Sequence, residues 1–172
     1  MNKKLLSASL MVALFAGSVQ ADAFYIGAGL GSSKIKIEDQ SGDKDTAYTL
    51  STGLSIPLPF IPVRGEVELS QFKSDDVKSQ AVAANAYVGL PLLPIVKPYV
   101  GFGLADMRLK SGSDKTDWKV VPQYMVGLDV DLPLIPVAGG IEYRYIDTSF
   151  EEDGDKFDTK IQTVLVKGRI KF

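Results

Sequence analysis

Beyond its first two dozen residues the chain alternates apolar and polar side chains with a period of two, through eight successive segments. They run roughly 23–36, 46–56, 63–73, 79–90, 98–110, 118–132, 137–149 and 159–172. Only an extended strand sends alternate side chains to opposite faces. Each segment reaches the roughly 9–11 residues that a tilted strand needs to cross a bilayer. The connections alternate as well. Four are polar and acidic: Glu38 to Asp45, Ser74 to Lys78, Ser111 to Asp117 and Glu151 to Asp158. Three are apolar and bracketed by proline: Pro57 to Pro62, Pro91 to Pro98 and Pro133 to Pro136. Gly53-Leu54, Gly89-Leu90 and Gly127-Leu128 each precede a proline turn, 36 and then 38 residues apart, so the unit of two strands and two connections repeats. Proline cannot donate to a strand ladder, and these clusters mark where pairing is expected to stop. The pattern predicts an antiparallel up-and-down meander with both chain ends on the proline-turn side.

The segment before the first strand has a different character. Lys3 and Lys4 precede an apolar run from Leu5 to Phe15, and Val19-Gln20-Ala21 closes it with the pattern read by signal peptidase. Residues 1–21 are therefore expected to be a cleaved export signal and residues 22–172 a single barrel domain. No later stretch approaches 18 consecutive apolar residues, so helical spans are excluded. Yet 45% of the chain is apolar, and it has no cysteine with which an exported protein could staple itself. In lipid every backbone polar group must find a partner, which leaves helices and closed barrels. Without the two signal lysines the chain carries 17 basic and 21 acidic residues, with no basic stripe, so no nucleic-acid partner is expected.

A soluble ligand-binding barrel also alternates, with its apolar set inside, so the inward face has to be chosen. In the last strand Val164, Val166, Gly168, Ile170 and Phe172 oppose Lys167, Arg169 and Lys171. In the sixth, Val120, Tyr124, Val126 and Leu128 oppose Lys119, Gln123, Asp129 and Asp131. In the third, Val67 and Leu69 oppose Arg64, Glu66 and Glu68, and in the seventh Ile141 and Tyr143 oppose Glu142 and Arg144. Gly27, Gly29, Gly31, Gly53, Gly89, Gly101, Gly103, Gly127 and Gly140 all fall on the charged face. A solvated sheet face has no use for glycine, which weakens strands and packs nothing. The narrow interior of an eight-stranded barrel, crowded by long side chains, does. The charged face is read as the inside. Tyr48, Phe72 and Trp118 toward the acidic connections, and Phe24, Phe60 and Phe172 toward the proline turns, are read as two interfacial girdles.

The chain ends on Phe172, in phase with Ile170 and Val166 on the apolar face. In this it resembles bacterial outer-membrane barrels, whose alternating last strand ends in phenylalanine. Phe24-Tyr25-Ile26-Gly27-Ala28-Gly29-Leu30-Gly31 and Pro98-Tyr99-Val100-Gly101-Phe102-Gly103 are similar to the first and fifth strands of the small OmpA-like and opacity-type barrels. The resemblance implies an eight-stranded transmembrane barrel in the outer membrane of a Gram-negative cell. It also implies recognition of Phe172, Ile170 and Val166 by the outer-membrane assembly machinery after delivery by periplasmic chaperones. Outer-membrane lipids and lipopolysaccharide would surround a monomer.

The inward set holds five bases, Arg64, Arg144, Lys167, Arg169 and Lys171, and five acids, Glu66, Glu68, Asp129, Asp131 and Glu142. By strand position they lie in the half nearest the proline turns. Isolated charges there would be costly, so a neutral ion-pair network across the lumen is predicted. It either locks register and fills the barrel or lines a selective pore. Eight strands leave little space beyond side chains, and a charge-selective pore carries one dominant sign, which favours the structural reading.

Enzymatic outer-membrane barrels generally rely on histidine as general base, and this chain has none. Glu66 and Glu68 beside several bases are more simply ion-paired than catalytic. No enzyme activity, cofactor or metal site is expected. The acidic stretches Glu38 to Asp45 and Glu151 to Asp158 offer oxygen ligands for Ca2+ or Mg2+, but their spacing is not that of an EF-hand, and they are read as solvated loop tips. The sequence thus predicts a structural or surface-interaction barrel, with a narrow solute channel as first alternative and a soluble periplasmic ligand-binding barrel as second.

Overall fold

The computed structural model describes residues 24–37, 40–56, 58, 61–73, 77–90, 95–111, 114–115, 119–132, 135–152 and 155–172. The signal region, Trp118 and Phe60 lie outside them. Eight long strands form the barrel: β1 (Phe24–Ile37), β2 (Gln40–Ile56), β3 (Val63–Lys73), β4 (Val77–Gly89), β5 (Val96–Ser111), β7 (Lys119–Asp131), β8 (Val137–Glu152) and β9 (Asp155–Lys171). A two-residue β6 (Asp114–Lys115) folds back on the end of β5. The eight long strands pair antiparallel in chain order, β5 directly with β7, and β1 pairs with β9 to close the sheet. Closure removes the two free edges an open sheet would have, which is what lipid demands. At the seam the Phe172 amide donates to the Phe24 carbonyl (2.8 Å), and the two rings pack 6.1 Å apart.

The proline clusters behave as half-stops. Pro62, Pro98 and Pro136 cannot donate, but their carbonyls accept from Gly89, Leu90 and Lys171, each at 2.8 Å. At these three positions the rim accepts a hydrogen bond and offers no N–H in return. Pro98 does not end a strand as expected: β5 begins at Val96, and Pro98 stands in register opposite Leu128.

On the opposite side the strands run further than alternation indicates. β2 starts at Gln40 rather than 46, and Ile37 stands opposite Gln40. A register shift between Lys34 and Lys36 bends that ribbon. β8 and β9 continue to Glu152 opposite Asp155. Glu38 to Asp45 and Glu151 to Asp158, expected to be loops, are thus largely paired ribbon. Their sequence lacks the alternation that marks the membrane-crossing part. The side chains of these acidic stretches lie outside the described ones, and cation binding there is untouched by the structure.

Within the barrel the phase is as read. Phe24, Ile26, Leu30, Leu50, Val67, Leu69, Val100, Leu104, Val126, Leu128, Ile141, Val164, Val166, Ile170 and Phe172 stand exposed on the outside. All nine glycines assigned to the charged face point inward. The outward Lys34, Asp106, Asp147 and Lys160 bound the apolar belt on the ribbon side. One girdle residue is corrected: Phe72 is buried in the lumen, in phase with Arg64, Glu66, Glu68 and Ser70. Its even-numbered position on β3 fixes that face, whatever its chemistry prefers.

Candidate functional site

The lumen is filled in layers. Nearest the proline turns, Asp131 accepts from Lys97 and Lys171, each at 2.6 Å. One layer deeper, Asp129 Oδ2 accepts from Arg64 (2.6 Å) and Arg169 (2.8 Å). At the centre three glutamates meet two bases. Arg144 forks onto Glu68 (2.5 and 3.0 Å) and reaches Glu142 (2.6 Å). Lys167 Nζ lies 2.9 Å from Glu66, 3.0 Å from Glu68 and 3.5 Å from Glu142. Arg144 is 1% exposed, and Glu68 and Glu142 are fully buried. All ten charged residues read as inward are therefore ion-paired, in three groups rather than one network.

Three tyrosines complete the central group. Tyr25 donates to Glu66 (2.9 Å), Tyr87 to the other oxygen of Glu66 (3.0 Å) and Tyr99 to Glu142 (3.0 Å). Each stands directly opposite a glycine on the next strand: Tyr25 on Gly53, Tyr87 on Gly101 and Tyr99 on Gly127. A methyl group placed on Gly53 or Gly127 would lie 2.5 Å from the facing tyrosine hydroxyl. These glycines are berths across which the rings lie. Gly27 and Gly29 serve Arg169 and Lys167 in the same way, with the basic stems 3.0 and 3.1 Å from where a Cβ would stand. Glycines and long side chains on adjacent strands are thus one device, which explains why they share the inner face.

Sequence reasoning missed two parts of this site. A strand that starts at Pro98 leaves Lys97 in the proline turn, whereas β5 begins at Val96. Lys97 adds a sixth base to the ten expected charges, so these paired residues are six bases to five acids and not the balanced five and five expected. The tyrosines were overlooked although each is in phase with the charged face. The direct pairing of tyrosine with glycine was the available signal, but it needs register.

The ribbon-side half of the lumen differs from the polar interior expected. Ala47, Phe72, Ala81, Ala83, Ala105, Met107, Val121, Ile146, Ile161 and Leu165 form one buried apolar cluster. Between it and the glutamates, Gln123 donates to Asn85 (2.5 Å). Where both faces are apolar, as in Ala81-Val82-Ala83-Ala84, alternation loses its contrast and the inner face becomes illegible.

An apolar belt outside, a closed antiparallel sheet and charged groups paired off in the interior define a β-barrel that crosses a membrane. Sequence comparison agrees: residues 5–167 match the family described as outer membrane protein beta-barrel domain, and the chain belongs to that family. Its place is the bacterial outer membrane. The soluble periplasmic reading falls with that. No curated protein matches the sequence. Among solved structures, Neisserial surface protein A is 19% identical, with a TM-score of 0.71 over 87% of this chain and 97% of its own. Ail, the attachment invasion locus protein of Yersinia pestis, is 16% identical, with a TM-score of 0.58 over 89% of this chain and 100% of its own. The outer membrane enzyme PagL is 10% identical, with a TM-score of 0.57 over 86% of this chain and 99% of its own. At these identities the likeness is one of fold, and the fold houses both an enzyme and surface proteins.

Proposed function

We propose that this protein is a monomeric, non-enzymatic structural barrel, closed to solutes and presenting its ribbons at the cell surface. The observation that carries this reading is the double plug. An apolar layer containing Met107 and Leu165, both fully buried, sits above an ion-paired layer containing the fully buried Glu68 and Glu142. A water column would have to wet the first, which hydrophobic constrictions resist. It would also have to break the second, whose charges are held by several partners each.

Glu66, Glu68 and Glu142 are all engaged by Lys167, so none is free to act as a base in the way an enzyme of this fold would require. The chain also lacks histidine. The outward Val166, Ile170 and Phe172, with Phe172 hydrogen-bonded across the seam, suit the assembly-machinery signal proposed for them. The ribbons rising past Lys34 and Asp147 suit contact with lipopolysaccharide or another surface.

The test is conductance in a planar bilayer. The folded barrel is expected to give no reproducible current steps. Regular steps of one size at neutral pH would overturn the closed reading in favour of a narrow channel.

A further inference from the structure

Below the plug the lumen opens toward the proline turns into a cavity of about 570 Å3, within the range of small-ligand pockets. Its charged lining is Arg64, Lys97, Arg169 and Lys171 against Asp129 and Asp131, four cations to two carboxylates. Part of that surplus answers the central group, where three glutamates face two bases, and one positive charge remains over these eleven described residues.

The donors are not used up. Arg64 and Arg169 are 8% and 6% exposed and converge on a single oxygen of Asp129. Arg64 Nε and Nη2 and Arg169 Nη1 are buried without an acceptor. Tyr87 and Tyr99 lie 4.1 and 4.9 Å from the Arg64 guanidinium carbon. Ring faces stabilise the flat face of a guanidinium, and leave its in-plane N–H groups still needing an acceptor. Buried donors in that state are costly unless something accepts from them. The rim adds Ile56, Val63 and Ile135, so the pocket is cationic within and apolar at its lip.

The geometry points to a phosphate-binding site in this vestibule, taking the phosphate of an amphiphile or of a small organic ester. A carboxylate is planar and suits one guanidinium fork, whereas these two arginines share one oxygen of Asp129 and neither is forked. The vacant donors belong to two guanidiniums on different strands, β3 and β9, with the Lys97 and Lys171 ammoniums nearby. A tetrahedral anion spreads its oxygens out of one plane and can meet donors from several directions. The apolar lip would hold the organic part.

Phenyl phosphate titrated into the folded barrel in zwitterionic micelles, followed by phosphorus NMR, tests this. Saturable binding with a Kd at or below about 1 mM is expected. Arg169→Gln should weaken it roughly tenfold. Should that variant fail to give a heat-modifiable band on a denaturing gel, Lys97→Gln and Lys171→Gln at the more exposed rim decide, each weakening binding several-fold. Binding indifferent to these changes, no saturation below about 10 mM, or benzoate bound as tightly as phenyl phosphate would overturn the assignment. Doping the micelles with phosphatidylglycerol identifies the source. Displacement of phenyl phosphate supports a lipid headgroup as occupant, and undiminished binding supports a soluble ester.

Discussion

Arg144→Ala is expected to destabilise the barrel by about 3–5 kcal/mol, the usual cost of stranding a buried charge. Arg144 is the hub of the central group, with three of the short contacts to Glu68 and Glu142. Its removal leaves three carboxylates and only Lys167 among the bases within reach, in a layer where the carboxylates cannot turn to water. The measurement is the unfolding midpoint in denaturant, read by the loss of heat-modifiable migration in micelles. Glu68→Ala in the Arg144→Ala background should recover part of the loss, because it removes one of the stranded charges. The two changes should therefore combine non-additively. Lys97→Ala is the control. Its pair with Asp131 lies at the mouth, with side chains 35% and 23% exposed, and such pairs contribute less than about 1 kcal/mol. An Arg144→Ala barrel as stable as the parent would mean that the central charges do not hold the fold.

Val166→Arg carries the second large effect, on the opposite face of the same strand. Val166 is 63% exposed and sits between Leu30 on β1 and Ile141 on β8, both also outward. It lies midway along β9 between the outward Lys160 and Phe172. An arginine near the bilayer midplane of a barrel costs about 2–4 kcal/mol, falling to about 0–1 near the interfaces. Folding into lipid vesicles should therefore lose stability on that scale for Val166→Arg and much less for Lys160→Arg, beyond the belt. A surface facing water would show no such gradient, and an arginine at residue 166 would then be harmless.

How far these features were legible depends on whether the two faces of a strand differ. In β9, Val164, Val166 and Ile170 alternate with Lys167 and Arg169, so strand, phase and inner face could all be read from the chain. The same contrast placed the ten inward charges. It faded in two regions for opposite reasons. Toward the ends of β2, β8 and β9 the sequence is acidic and does not alternate, so paired strand looks like acidic loop. In the upper lumen Ala81, Ala83, Ala105 and Leu165 face inward while apolar residues also face out, so the plug looked like ordinary strand. Phe72 was misplaced because aromatic character was weighed above parity, although the pleat leaves parity no freedom. Lys97 was lost through too strict a view of proline, whose carbonyl keeps its place in the ladder at Pro98 while the missing N–H goes unused. The tyrosine berths required register, which no single strand carries. They become visible only when Tyr25 is set beside Gly53 and Tyr99 beside Gly127.

Since the chain has no cysteine, a single one can be introduced at each position and spin-labelled without interference. Labels at residues 160 to 171 of β9, with the barrel in lipid vesicles, report collisions with oxygen, which concentrates in acyl chains, and with a water-soluble nickel chelate. An outer surface that meets lipid gives oxygen maxima at residues 164, 166, 168 and 170 and low values for both reagents at residues 163, 165 and 167. Nickel maxima at residues 164, 166 and 170 would place the apolar belt in water and contradict the membrane-spanning barrel.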